Sequence, residues 1–132
     1  MNLFFKTGDF ENMSQTVLIC DDAQLTRKTL RGILEANGYE IVGEAVNGKE
    51  AVALYGDLHP DLVFMDIVMP EMDGIEAVNN IISSDPNAVI IMCSSLAQQN
   101  KVVSAIKAGA RDFIVKPFTQ DRVIEAIAKN LV

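Results

Sequence analysis

Leu62-Val63-Phe64-Met65-Asp66 is an apolar, β-type run that ends in a carboxylate, and the chain repeats this arrangement on either side of it. Thr16-Val17-Leu18-Ile19-Cys20 leads into Asp21-Asp22, and Ala88-Val89-Ile90-Ile91-Met92-Cys93 leads into Ser94-Ser95. Unbroken apolar runs of this length suit parallel strands covered on both faces, so these three are expected at the centre of a sheet. Glu40-Ile41-Val42-Gly43-Glu44-Ala45 mixes charge with apolar residues and Asp112-Phe113-Ile114-Val115 is short, which places two further strands nearer the edges.

Between and after these runs the apolar spacing becomes helical. The stripes are Leu30, Ile33 and Leu34; Ala51, Leu54, Tyr55 and Leu58; Ile75, Val78 and Ile82; Val102, Val103 and Ile106; and Val123, Ile124, Ile127 and Leu131. Gly38 and Gly109 fall just past the first and fourth stripes, where a left-handed residue ends a helix without a Cβ clash. Five alternations of strand and helix call for an α/β fold, a doubly wound parallel sheet with helices on both faces. Ligands of such sheets bind beyond the carboxyl ends of the strands.

Length and composition agree with one compact domain. The chain has 132 residues, 49% hydrophobic and 22% charged, enough apolar material for a core. A net charge of −7, with basic residues scattered rather than clustered, argues against nucleic acid and against an anionic membrane surface. The longest apolar run, Ala88 to Cys93, is far shorter than the roughly 18–20 residues of a membrane span. The opening Met1-Asn2-Leu3-Phe4-Phe5-Lys6 lacks the apolar core of a secretory signal, so a cytoplasmic protein is expected. Cys20 and Cys93 each end an apolar run and are expected as buried, reduced thiols. Residues 1–14 hold Phe4, Phe5 and Phe10 outside the repeat and are set apart as a leader: a disordered segment, an upstream start before Met13, an expression remnant or a partner-docking segment. Residues 15–132 form the domain.

Four of the five strands end in polar groups: Asp21-Asp22, Asp66, Ser94-Ser95 and Lys116-Pro117. Taken singly, each is an ordinary helix cap or solvated side chain. Together at one sheet edge they make a site. Three carboxylates in a small cleft repel one another unless a cation or a proton enters. Hard oxygen donors without thiolate or imidazole partners favour Mg2+. A carboxylate can also act as a nucleophile toward phosphorus, with Mg2+, the Lys116 ammonium and the Ser94 hydroxyl sharing the phosphoryl oxygens. His59, the single histidine, falls at the opposite edge, which removes Ser/His/Asp and Cys/His hydrolase chemistry.

In this order these residues resemble the receiver domain of two-component response regulators, in particular the free-standing chemotaxis regulators of the CheY type. The resemblance runs from about Ser14 to Val132. It is carried by Cys20-Asp21-Asp22, by Ala45 to Ala51, by Met65-Asp66-Ile67-Val68-Met69-Pro70-Glu71-Met72-Asp73-Gly74, by Cys93-Ser94-Ser95 and by Ala108 to Phe118. It implies strand order 2-1-3-4-5 with five helices, an order for which CheY is itself a standard example. It implies Asp66 as phosphoacceptor from a histidine kinase and Mg2+ held by Asp22, Asp66 and the main-chain carbonyl of Val68, with Asp21 acting mainly through a metal-bound water. Lys116 would pair with Asp66 and then with the phosphoryl group. Ser94 and Phe113 would form the switch, and the Lys116-Pro117 bond would be cis. The protein would be a signalling phosphoacceptor rather than an enzyme, assisting only its own phosphorylation and dephosphorylation. The strand order would also keep Cys20 and Cys93 roughly 9.5 Å apart, beyond disulfide reach.

With no DNA-binding or enzymatic domain after Val132, output is expected through a protein target. A flagellar motor switch protein is the family-based candidate, with a phosphatase as a further partner and a monomer as the expected state. The responding face would be built from the fourth helix, fifth strand and fifth helix, with Ser95, Leu96, Lys101, Phe113, Phe118 and Arg122 as candidates. Val68 and Leu96 are apolar where many members carry a polar side chain, and Phe113 replaces a tyrosine, so the switch cannot use a hydroxyl contact there. Two alternatives remain beside chemotaxis: a phosphorelay, or a pseudo-receiver that acts without phosphorylation. A flavin-binding protein of the same topology is disfavoured, since Asp21-Asp22 would repel its phosphate.

Overall fold

The computed structural model describes residues 14–131; the leader assigned to residues 1–14 lies outside them, apart from Ser14. Five strands, β1 Thr16–Cys20, β2 Glu40–Ala45, β3 Leu62–Asp66, β4 Ile90–Ser94 and β5 Asp112–Val115, alternate with five helices. The helices are α1 Gln24–Ala36, α2 Gly48–Leu58, α3 Gly74–Ser84, α4 Gln99–Ala108 and α5 Gln120–Asn130, and a 3-10 turn, Leu96–Gln98, precedes α4. All strand pairs are parallel, in the order β2-β1-β3-β4-β5. That is the doubly wound 2-1-3-4-5 sheet expected from the sequence.

Side chains alternate along each strand, so the two faces of the sheet nucleate two cores. Val17, Ile19, Leu62, Phe64, Ile91 and Cys93 pack with Leu30 and Leu34 of α1 and with Val123, Ala126 and Ile127 of α5. Leu18, Cys20, Val63, Met65, Ile90 and Met92 face α2, α3 and α4 through Ala51, Tyr55, Ala77, Val78, Ile81, Val102 and Ala105. Phe64, Leu18 and Ile19 are essentially sealed from solvent, and burial of each such side chain is worth roughly 1.5–3 kcal/mol. Cys20 and Cys93 are free and buried on opposite faces of the sheet. The sheet, as well as distance, keeps them from pairing.

The first two helical stripes and the fifth lie largely inward, but the fourth differs from the sequence pattern. Val102 and Ala105, three residues apart, face the sheet, while Val103 and Ile106 are 60% and 41% exposed. A helix advances about 100° per residue, so Val103 and Ile106 share a second stripe turned outward. Gly38 and Gly109 take positive φ, 88° and 124°, as the ends of α1 and α4 require. Among the described residues no helix is long and apolar enough to cross a membrane.

Register brings the strand ends together. Cys20 lies opposite Met65, Asp66 opposite Cys93, and Ser94 opposite Val115. Asp21 therefore leaves the sheet level with Asp66, Ser94 one residue higher and Lys116 one higher again. The loop after β3 is pinned by two close backbone approaches. Gly74 N–H donates to the carbonyl of Ile67 at 2.8 Å, and a Cβ on Gly74 would fall 1.9 Å from the carbonyl oxygen of Asp66. Gly48 N–H likewise donates to the carbonyl of Met72 at 2.8 Å, against which a Cβ would also collide.

The same substitution is expected to act with opposite signs at two glycines. Gly74→Ala must displace the Asp66 backbone and should cost at least about 2 kcal/mol in urea unfolding. Gly32→Ala, in mid-α1 with nothing within 4 Å of the added carbon, should stabilise by about 0.5–1 kcal/mol. Equal effects at both positions would contradict the packing described.

Candidate functional site

The carboxylates of Asp21, Asp22 and Asp66 meet at the carboxyl edge, with oxygen atoms from all three within 4.8 Å of one another. Asp21 and Asp66 are buried and Asp22 is exposed. Asp21 is fixed on every side: its N–H donates to the Ala45 carbonyl at 3.0 Å, its Oδ1 accepts from Ala23 N–H at 2.9 Å, and its Oδ2 accepts from Lys116 Nζ at 2.7 Å. Lys116 reaches Asp66 Oδ1 at 3.3 Å. The ammonium thus lies between two carboxylates and closer to Asp21, whereas the family resemblance pairs it with Asp66. The Ala23 N–H explains the preference, because it holds Asp21 with its other oxygen turned toward Lys116.

The electrostatics follow from this unequal sharing. Burial, then the Asp21 charge, push the Asp66 carboxyl up to about 6, against the opposing pull of Lys116. Burial works against the Lys116 charge, but the hydrogen bond to Asp21 and the two carboxylates outweigh it and raise the ammonium above its ordinary value. One cation does not offset the cluster. Burial pushes both thiols, Cys20 and Cys93, well above the ordinary cysteine range, so neither competes as a nucleophile or a ligand.

Ser94 is fully buried, and its Oγ lies 3.4 Å from Gln99 Nε2. Its carbonyl accepts from Lys116 N–H at 2.7 Å, tying the end of β4 to the residue that carries the ammonium. The Lys116-Pro117 peptide is cis. Val68, in the loop after β3, and Leu96, two residues past Ser94, leave apolar side chains 43% and 76% exposed on the segments that carry the site. A groove of about 310 Å3 opens beside Lys116, between Leu25, Thr26 and Thr29 of α1 and Pro117 and Phe118.

Asp21, Asp22, Asp66, Lys116 and Ser94 are therefore gathered as the strand ends suggested. Phe113 lies lower in the sheet, opposite Met92, partly buried against the core beneath α2, α3 and α4. His59 caps α2 at the opposite edge, in edge-on contact with Tyr55. Three participants were given no role in the sequence reading. Arg27 donates to the carbonyl of Asp21 at 2.9 Å, Gln99 adjoins Ser94, and Gly74 backs the Asp66 carbonyl. An Asp-Gly pair before a helical stripe was the available signal for Gly74; nothing local marks Arg27 or Gln99.

Comparison with known proteins converges on one family. Residues 17–128 match the response regulator receiver domain. The chemotaxis protein CheY of Thermotoga maritima is 56% identical over 117 residues, covering 89% of this chain and 98% of that protein. CheY of Bacillus subtilis is 56% identical over 119 residues, covering 90% and 99%. Among solved structures, the CheX-CheY-BeF3-Mg+2 complex from Borrelia burgdorferi aligns with a TM-score of 0.85 at 36% identity, covering 91% of this chain and 92% of that one. The response regulator domain of Thermotoga maritima CheB aligns with a TM-score of 0.81 at 33% identity, covering 89% and 96%. With the sheet order and the clustered carboxylates, these matches establish that the chain belongs to the response regulator receiver domain family, as a homologue of the CheY chemotaxis regulators.

Proposed function

We propose that residues 15–132 act as a cytoplasmic phosphorylation switch in which Asp66 accepts a phosphoryl group from a histidine kinase and changes the affinity of a surface for a protein target. The observation that carries this reading is the buried Asp66 carboxylate with Lys116 Nζ 3.3 Å away and two further carboxylates beside it. An Asp66 oxygen attacks phosphorus as the P–N bond of a phosphohistidine breaks, and the imidazole leaves. Asp66, Asp22, Asp21 and the carbonyl of Val68 are the groups that would hold Mg2+. Their oxygen-only chemistry, and a negative charge that Lys116 leaves uncompensated, fit that ion. When bound, Mg2+ supplies positive charge to the carboxylates and to the phosphoryl oxygens. Lys116 keeps its proton and offers a fixed positive charge to the same oxygens, and Ser94 donates its hydroxyl to one of them.

The response travels from Ser94 into the turn and helix that follow it. Leu96, Val103 and Ile106 already present apolar surface there, and Phe113 packs beneath as the second switch position. This α4–β5–α5 face is the docking surface for the target, with a flagellar motor switch protein as the candidate. The relative from Borrelia burgdorferi, solved with CheX, supports protein partners of this kind, among which a phosphatase is another.

Three outcomes are expected. Asp66→Ala abolishes Mg2+-dependent labelling by radioactive acetyl phosphate while the fold, read by circular dichroism, persists; undiminished labelling would refute Asp66 as acceptor. Val68→Asn places a polar group beside the acyl phosphate that can orient water, and should speed phosphate release after loading roughly tenfold; an unchanged rate would dissociate the Val68 side chain from phosphoryl lifetime. The third concerns pH without metal. Because the folded carboxyl of Asp66 is raised from 3.8 to about 6, its contribution to stability is complete below 3.8 and is lost as pH rises through 6. In EDTA, Asp66→Asn should therefore unfold later than the unaltered protein by roughly 1–3 kcal/mol above pH 7, with the gain fading toward pH 4. A gain that does not vary with pH would show that charge is not its cause.

A further inference from the structure

Arg27 lies in the first turn of α1, five residues after Asp22, and its guanidinium joins two elements of the site. Nε donates to Glu44 Oε1 at 2.8 Å, and Nη1 donates to the main-chain carbonyl of Asp21 at 2.9 Å. The side chain is 16% exposed. Glu44, on edge strand β2, is held a second time by Arg31, whose Nε lies 2.7 Å from Glu44 Oε2. Burial works against the Glu44 charge, but the hydrogen bonds from Arg31 and Arg27 outweigh it and keep the carboxyl below its ordinary value. Glu44 is thus a charged, immobilised anchor for Arg27.

The Asp21 carbonyl belongs to the peptide unit that also carries the nitrogen of Asp22. That unit is planar, so holding its oxygen also holds the nitrogen and Cα from which the Asp22 side chain departs. Asp21 itself is secured by Ala45, Ala23 and Lys116, whereas Asp22 is exposed. We infer that Arg27 is a positioning residue for cation binding: held by Glu44, it clamps the Asp21-Asp22 peptide so that the Asp22 carboxylate stays aimed at Asp21 and Asp66. Groups that orient metal ligands from behind are commonly worth 10- to 100-fold in affinity. The inference rests on the Mg2+ reading of the preceding subsection.

Charge and position predict opposite signs here. A guanidinium near a cation site opposes the cation, so removing it for charge alone would tighten binding. Losing the clamp weakens binding instead. Titrating the full chain with Mg2+ in a calorimeter separates them. Arg27→Met is expected to bind Mg2+ about tenfold more weakly, and Arg27→Lys, which keeps the charge and loses the fork, to be weakened by less. Arg31→Met removes one of the two ion pairs that hold Glu44 without touching Asp21, and is expected to weaken binding by clearly less than Arg27→Met while losing comparable thermal stability. Unchanged or tighter binding by Arg27→Met, or equal weakening in Arg27→Met and Arg31→Met, overturns the inference. Should the Met variant not fold, Arg27→Lys carries the same test, with unchanged affinity as the refuting result. Failure of the unaltered protein to bind Mg2+ removes the metal reading itself, and the inference with it.

Discussion

Like charges confined where water is scarce repel, and the fold must hold three carboxylates together against that repulsion. Everything near the carboxyl edge serves this constraint. Parallel register sets Asp21 level with Asp66, the N–H of Ala23 and the ammonium of Lys116 bind Asp21, and Gly74 allows α3 to begin directly against the Asp66 carbonyl. The compensation is incomplete by one or more charges. A site left short of positive charge is suited to take it up from outside, as a proton, a metal ion or a phosphoryl-bearing ligand's counter-ion. Complete internal neutralisation would stabilise the fold and remove the reason for anything to bind.

The division between the two cores is what makes such a strained edge tolerable. Each central strand contributes side chains to both faces, so β1, β3 and β4 are anchored from above and below. Their backbones cannot yield to the repulsion at their ends. The segment that follows β4 is less securely packed, because the 3-10 turn Leu96–Gln98 and the outward Val103 and Ile106 leave much of its apolar surface exposed.

The strands and the polar residues at their ends were legible in the sequence, because a continuous apolar run followed by a charged residue needs no knowledge of distant partners. Gly38 and Gly109 were legible for the same reason. What escaped depends on relations between elements. Val103 and Ile106 read as one stripe with Val102, since periodicity counts apolar residues without showing which of two adjacent stripes meets the sheet. Arg27 reads as an ordinary helical cation until β2 places Glu44 beside it. The contact preference of Lys116 was hidden too, since it turns on one backbone N–H after Asp21. Local pattern thus reports what each element presents, and assembly decides what it meets.

The hydrogen bond from Lys116 N–H to the Ser94 carbonyl has a mechanical meaning. The residues that carry the hydroxyl and the ammonium are mounted on adjoining strands and joined at that rung. They stand as two prongs on one mount, the β4–β5 pairing, from which the turn and helix after β4 also depart.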